Sequence, residues 1–211
     1  MSADVAGSPA EARMTAPRAR RVEPGLVVQP EPFDGQVARA LVAALMDDLD
    51  ERYAADGPAD GDHHEISGVW AVRGEQVTPP QGVFVVAYLG GQPIGCGAVR
   101  PLVEDAAGHL VPGPPECPGG ATAIGEIKRM YTAPAARRRG VSRALLARLE
   151  TEAVRLGYRR LQLETGDRQP EAIALYESAG YRRIPTYGQY EGDELSVCFA
   201  KDLLGGDPGP A

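Results

Sequence analysis

The segment around residues 121–157 is the feature that most constrains the fold, because it needs a strand, a tight turn and a helix in succession. ATAIGEIKRMYTAP is typical of a strand that Pro134 ends, and VSRALLARLETEAVRLG places apolar residues at helical spacing up to Gly157. Between them lies RRRG, residues 137–140. A helix start has unpaired N–H groups and partial positive charge, and so suits a phosphate. Gly140 would let the backbone approach such a ligand, and the arginines would add charge.

This turn is not a Walker phosphate loop, because the pattern G-x-x-x-x-G-K-[ST] is absent. Taken alone, three arginines at a helix start could equally form a basic, solvated surface. The arginines therefore do not by themselves distinguish a ligand site from an ordinary helix start, and the surrounding elements are needed to distinguish them.

The remaining chain alternates strand and helix patterns. Apolar residues four apart (Val37, Leu41, Leu45, Leu49) predict an amphipathic helix that begins near an Asp34 N-cap. Pro170 and Gly180 predict the two ends of a second short helix, PEAIALYESAG. Strands are expected in GLVVQ, in a hairpin of VFVVAYL and PIGCGAV joined through Gly90-Gly91, and in YRRLQLET, YRRI and ELSVCFAKDL.

This order predicts an α/β (α+β) fold, with a mixed central sheet of six to seven strands and helices on both faces. We expect one domain over residues 23–204, between a disordered tail at 1–22 and a flexible tail at 205–211. Residues 56–68 and 104–120 are rich in glycine or proline, and we expect irregular loops there.

The net charge and the cysteine positions limit the classes of partner and ligand that we expect for this protein. A formal net charge of −7 argues against nucleic acid or an anionic membrane as the main partner. No run of 18 apolar residues and no secretory pattern occurs, so we expect a cytoplasmic protein. Cys96, Cys117 and Cys198 lack metal-ligand spacing, and the three histidines (His63, His64, His109) fall in expected loops, so no metal site is predicted.

The turn and its flanks resemble the GCN5-related N-acetyltransferase (GNAT) family. The family signature is Arg or Gln, two residues, Gly, one residue, then Gly or Ala, after a strand that ends in a hydrophobic-x-x-Pro turn. This chain has Tyr131-Thr132-Ala133-Pro134 and then Arg137-x-x-Gly140-x-Ser142, with Ser142 in place of Gly or Ala. The resemblance covers roughly residues 80–200.

The resemblance implies that acetyl-CoA binds here as co-substrate. Backbone groups of Met130 and Thr132 would bond the pantetheine arm, and an N–H near Met130 or Tyr131 would meet the developing oxyanion. The turn would hold the diphosphate through Arg137, Arg138, Arg139, Gly140, Val141, Ser142 and Arg143.

A second segment, GDRQPEAIALYESAGY at 166–181, resembles the family pattern Asn-x-x-Ala-x-x-Leu-Tyr-x-x-x-Gly-Phe/Tyr. Gln169 stands where asparagine is usual and would contact CoA. Tyr176 matches the tyrosine that would donate a proton to the departing thiolate. The alternative for Tyr176 is a core aromatic at helical spacing.

Glu126 matches the position of the general base in histone-acetylating members of the family. An amine of pKa about 10 costs roughly 4 kcal/mol to deprotonate at pH 7, so a carboxylate would help. The alternative is a structural carboxylate paired with Lys128, in which case Glu164 is the replacement candidate.

The acceptor is expected to be a small-molecule primary amine, such as an amino acid, polyamine or antibiotic-like amine. In the family, the acceptor pocket is built from the first helix and the final strands, and these segments carry acidic and aromatic residues that suit a cation: Asp47, Asp48, Asp50, Glu51, Tyr187, Tyr190, Asp193 and Glu194. Solvated acidic faces are an equal alternative.

A protein N-terminus or lysine is the second choice of acceptor. A non-catalytic acetyl-CoA-binding module and a nucleic-acid-binding protein are alternatives from other functional classes. A homodimer is left open.

Overall fold

The fold is a mixed eight-stranded sheet with three helices in the residues that the computed structural model describes, 23–54, 71–114 and 124–203. The helices are α1 (Gln36–Tyr53), α2 (Val141–Arg155) and α3 (Pro170–Ser178). The strands are β1 (Leu26–Pro30), β2 (Val83–Leu89), β3 (Gln92–Glu104), β4 (Leu110–Pro112), β5 (Ile124–Thr132), β6 (Arg160–Gly166), β7 (Arg182–Ile184) and β8 (Ser196–Asp202). The predicted fold class is confirmed.

Strand order creates an opening in the middle of the sheet. The order is β1-β2-β3-β5-β6-β8-β7, with β4 paired to the end of β3. The central strands β5 and β6 run parallel and pair over three positions only, from Ile124 with Arg160 to Glu126 with Gln162. Beyond them, β6 stays paired with β8 on its other side. The second halves of β5 and β6 therefore leave room between them for a ligand.

Each face of the sheet carries its own apolar cluster. Residues of α1, such as Leu41 and Leu45, pack with Phe84 and Cys96 on one face. The opposite face packs α2 and α3 against β2, β5 and β6 through residues such as Leu145, Leu149 and Tyr176. A smaller cluster around Leu102, Tyr187 and Tyr190 lies near the start of β5.

Two predicted details are wrong. The N-cap of α1 is Gly35 and not Asp34, because Gly35 holds the extended backbone of a cap at φ −66° and ψ 156°. Part of the 104–120 loop is strand β4, which forms a ladder with Leu102, Val103 and Glu104. That pairing adds the eighth strand, and neither glycine nor proline content reveals it because the partner strand supplies the hydrogen bonds.

Several predictions lie outside the described residues: the tails at 1–22 and 205–211, the loop at 56–68 with His63 and His64, and Cys117. In the described parts of the chain, no helix is long and apolar enough to cross a membrane.

Candidate active site

A cleft of about 550 Å³ opens between α1, the end of β5, the turn before α2, and α3. Its lining includes ten of the eleven residues expected to hold acetyl-CoA, together with Tyr176: Met130, Tyr131, Thr132, Arg137, Arg138, Gly140, Val141, Ser142, Arg143 and Gln169. Segments nearly forty residues apart in the chain thus meet at one surface. Helix α1 adds Leu45, Asp48, Leu49 and Arg52.

The turn before α2 has the backbone of an anion site. Arg138 and Gly140 both have positive φ, 63° and 85°, while Arg139 between them does not. Alternation of this kind gathers backbone N–H groups into a concavity that suits anions. Gly140 is the N-cap of α2, and no side chain caps the helix start. The residues present therefore fit a diphosphate.

Side chains around the turn fix its shape. The Ser142 and Thr132 hydroxyls lie 3.0 Å apart, so the serine that replaces Gly or Ala ties α2 to β5. Arg137 donates to the Thr132 carbonyl at 3.2 Å and pairs with Asp48 of α1 at 2.5 Å. Arg52 of α1 pairs with Glu171 of α3 at 2.6 Å. These ion pairs join the elements that border the cleft.

Two expected ligand residues have other contacts. Arg139 is not part of the cleft lining, and its guanidinium pairs with Glu23 at 2.7 Å. Gln169 lines the cleft as the N-cap of α3, and its side chain hydrogen-bonds the Tyr53 hydroxyl. A Cβ on neighbouring Gly166 would lie 1.8 Å from that hydroxyl, so glycine is needed there.

A β-bulge interrupts β5 beside the cleft. Ala98 pairs with Lys128 and Cys96 with Tyr131, so Arg129 and Met130 together face Gly97. Arg129 has φ 57°, and a Cβ added to Gly97 would lie only 2.8 Å from the Met130 sulfur. A bulge leaves its extra residue outside the ladder, so regular strand pairing is interrupted next to Met130 of the cleft lining.

Tyr176 lines the cleft and is 4% exposed. Its ring packs at 5.8 Å from that of Tyr181 and 5.9 Å from that of Phe199. Burial, with the charge of Glu164, raises its pKa, so the hydroxyl stays protonated. The Tyr176 hydroxyl has no hydrogen-bond partner among the described residues, so it is available to donate a hydrogen bond to a ligand. The packing and the catalytic interpretations of Tyr176 are thus compatible.

Glu126 is completely buried and held by several partners. Its Oε2 accepts from Arg100 at 2.7 Å, its Oε1 accepts from the Tyr187 hydroxyl at 3.1 Å, and Lys128 Nζ lies 3.9 Å away. Burial alone would raise the pKa of Glu126, but the charges of Lys128 and Arg100 and these hydrogen bonds outweigh it and lower the pKa. Its role as base stays a prediction, and this geometry favours the structural alternative.

Glu164 has a different environment on β6. Burial raises its pKa, and the charges of Glu126 and Asp193 add to the effect, against Lys128 and a hydrogen bond from Ser196. The Ser196 hydroxyl lies 3.0 Å from Glu164 and 2.9 Å from Asp193. One hydroxyl proton cannot serve both carboxylates at once. Glu164 is therefore the carboxylate in this region that most readily takes up a proton.

The acidic and aromatic residues expected around an acceptor differ in their burial and in their partners. Tyr187 and Tyr190 are buried beside Glu126 and Lys128, and Lys128 donates to the Tyr190 hydroxyl at 2.5 Å. The side chains of Asp47, Asp50, Glu51 and Glu194 are exposed. Asp48 is taken up by Arg137. Arg100 and Arg129 were not predicted from the sequence, although a charged residue inside the apolar run GCGAVRPLV was an available signal for Arg100.

Cysteine and metal chemistry find no support in the described residues. Burial raises the pKa of the Cys96 thiol to about 12 and that of Cys198 to about 11, so both stay protonated. Within 23–54, 71–114 and 124–203, no group of three or more His, Cys, Asp or Glu residues could hold a metal ion.

Comparison with known proteins agrees with this geometry. The model of the acetyltransferase (GNAT) family matches residues 42–181. An IAA acetyltransferase of Azospirillum brasilense is 33% identical over 163 residues, which are 77% of this chain and 90% of that protein. The uncharacterized N-acetyltransferase YsnE of Bacillus subtilis is 33% identical over 64% of this chain and 76% of its own length. A Klebsiella pneumoniae structure described as an acyl-CoA N-acyltransferase is 27% identical, with TM-score 0.61, over 85% of this chain and 98% of that one.

The fold, the geometry of the turn before α2 and these matches define an acyltransferase that uses an acyl-CoA donor. The chain belongs to the GNAT family of acetyltransferases. It is therefore an acetyl-CoA-dependent enzyme.

Proposed function

We propose that this enzyme acetylates the primary amine of a small molecule. The observation that carries the proposal is the buried polar group next to Tyr176, with Glu164 as a carboxylate of raised pKa. Glu126, Lys128, Tyr187 and Tyr190 complete it, and all four are at most 9% exposed. These buried side chains lie behind the cleft lining, where a small acceptor would reach them more readily than an extended polypeptide would.

The diphosphate of acetyl-CoA would lie against the turn of Arg138 and Gly140 and the start of α2. The thioester would then reach along β5 towards Met130 and Tyr176. A backbone N–H released by the bulge is the kind of donor that stabilises charge on the thioester oxygen. The cleft lining supports this placement, since it is continuous from the turn to Tyr176.

Acetyl transfer needs one proton removed and one supplied. The amine nitrogen attacks the thioester carbon, the C–S bond breaks, and an amide and CoA result. We assign removal of the amine proton to Glu164, directly or through water, because its raised pKa makes it a better proton acceptor than Glu126, whose pKa is lowered. Tyr176 would donate to the departing thiolate. Glu126 would hold Arg100 and Lys128 in place.

The test is release of CoA thiol from acetyl-CoA, measured against a panel of small primary amines and matched peptides. The peptides offer either a free N-terminus or a lysine side chain as the only amine. We expect turnover with small amines and little with peptides. Turnover of peptides alone would overturn the small-molecule acceptor and indicate protein acetylation. Tight acetyl-CoA binding without thiol release for any amine would contradict catalysis on amines.

A further inference from the structure

Arg129 is a strand arginine whose guanidinium lies partly buried and whose charge no described residue neutralises. Its Nε is buried and has no hydrogen-bond partner among the described residues. Its Nη1 contacts the Met46 sulfur of α1 at 3.5 Å, which is a weak acceptor. No carboxylate of the described residues forms an ion pair with it. A partly buried guanidinium that no carboxylate neutralises is costly to fold, so its presence needs an explanation.

The bulge in β5 determines where this side chain lies. In a regular strand, Lys128 and Arg129 would point to opposite faces of the sheet. The inserted residue lets Arg129 reach Met46 on the face covered by α1, whereas Ile127 and Met130 pack into the cluster under α2. Arg129 at φ 57° is thereby kept out of the apolar core and lies near the buried polar group, since the charges of Arg100 and Tyr190 act on its guanidinium.

The neighbours of Arg129 do not compensate its charge. Glu126 is shared between Arg100 and Lys128, and Glu164 interacts with Lys128 and Ser196. Burial, and then the charge of Arg100, lowers the pKa of Arg129, which agrees with a guanidinium surrounded by too little negative charge. The described carboxylates thus leave the positive charge of Arg129 unbalanced, and one additional anion would balance it.

We infer that Arg129 binds a carboxylate of the acceptor, and that the acceptor is an amino acid or a similar molecule with both an amine and a carboxylate. The inference rests on the proposed function and narrows it. Arg129 directly precedes Met130, which lines the cleft. A carboxylate on Arg129 would place the acceptor beside Arg100 and Tyr190 of the buried polar group, whose charges act on Arg129. A polyamine, which has no anionic group, would leave Arg129 uncompensated.

The experiment compares free amino acids with their carboxamides, which keep the amine and lose only the negative charge. Wild-type enzyme, Arg129→Gln and Arg129→Lys are assayed as full chains for CoA release. We expect the acid-to-amide ratio of kcat/KM to fall by roughly ten- to hundredfold in Arg129→Gln, the range for one hydrogen bond to a charged group. Arg129→Lys should restore part of it. Arg155→Gln removes an exposed arginine of α2 and is the matched control.

The same acids and amides are tested for thermal stabilisation of the CoA-loaded proteins, so that the subsite has a readout apart from turnover. If wild type and Arg129→Gln show the same acid-to-amide ratio and the same Tm shifts, the carboxylate subsite is wrong. Turnover of amides as fast as acids would leave the proposed amine acetylation intact while overturning the subsite. A third outcome is that free acids raise the Tm of wild type but not of Arg129→Gln, while no amine is turned over. That outcome would support the subsite and contradict the proposed function.

Discussion

Individual side chains in the site take their properties from burial and from the charge next to them. Glu126 and Glu164 are both strand carboxylates, yet the pKa of the first is lowered and that of the second is raised. The charge of Lys128 lowers the pKa of both carboxylates, and Arg100 lowers that of Glu126 further through their ion pair. The two residues are therefore suited to different tasks, holding structure and moving a proton.

Glu164→Gln should slow acetyl transfer most near neutral pH, where the amine is largely protonated. Glutamine keeps the shape but cannot accept a proton, and general bases typically contribute about 10²–10⁴-fold. The rate should recover as the pH approaches the amine pKa, because solvent then supplies the neutral nucleophile. The measurement is kcat/KM against pH for wild type and variant. An equal loss at every pH would mean that Glu164 only positions the acceptor.

Tyr176→Phe should lower kcat by about 10²–10⁴-fold and leave the acetyl-CoA dissociation constant nearly unchanged. The ring packing against Tyr181 and Phe199 survives, and only the hydroxyl is lost. Tyr181→Phe is the matched control, since Tyr181 belongs to the same apolar cluster but does not line the cleft. Equal rates in wild type and Tyr176→Phe would leave this tyrosine a packing role alone.

At the scale of elements, the site is a junction where β5, a turn and α2 follow one another. The bulge shifts the end of β5, and the turn then presents the start of α2 to the cleft. Ser142 and Arg137 tie this junction to Thr132, so strand and helix hold a common geometry. The turn is therefore preorganised, which reduces the cost of ordering it around a ligand.

Gly140→Val should weaken acetyl-CoA binding strongly. At φ 85° a β-branched residue is strained, and its side chain would occupy the space of the diphosphate. Gly108 has the same φ of 85°, lies in the β3–β4 turn and has open space around it, so Gly108→Val carries similar strain away from the cleft. Calorimetry on both folded variants separates strain from lost contact. Wild-type affinity in Gly140→Val would remove the diphosphate from this turn.

For the whole molecule, the buried ion pair between Arg100 and Glu126 joins β3 to β5 at the centre of the sheet. Both side chains are 0% exposed. Removing one partner of such a pair leaves the other buried and uncompensated, which typically costs about 3–5 kcal/mol. The stability of the sheet and the arrangement of the polar region thus depend on the same contact.

Glu126→Gln should lower the free energy of unfolding by about 3–5 kcal/mol at neutral pH. Since folding lowers the pKa of Glu126, its contribution is fully present above the unfolded value of about 4.3. It is lost as the pH falls through the folded pKa. Urea unfolding of both proteins from pH 7 to pH 3 should therefore show the difference shrinking towards acid. A small difference that does not change with pH would contradict a stabilising ionised Glu126.

Local features were determined by the sequence alone. Pro170 and Gly180 mark the ends of α3, and Gly157 follows α2 at φ 92°, because caps depend only on residues within a turn of one another. The turn at Gly140 was predictable for the same reason. These local signals, in their order, were enough for the fold class.

Only the tertiary structure decided which side chains meet. Arg100 and Glu126 are 26 residues apart and pair through strand register, which no local pattern encodes. A one-residue bulge opposite Gly97 sets the face that Arg129 occupies, and Arg139 turns to Glu23, 116 residues away, instead of to the cleft. Register, bulges and long-range ion pairs depend on how distant segments pack together. The sequence therefore determined the family and the turn before α2, and packing determined which charges surround Glu126, Glu164 and Arg129.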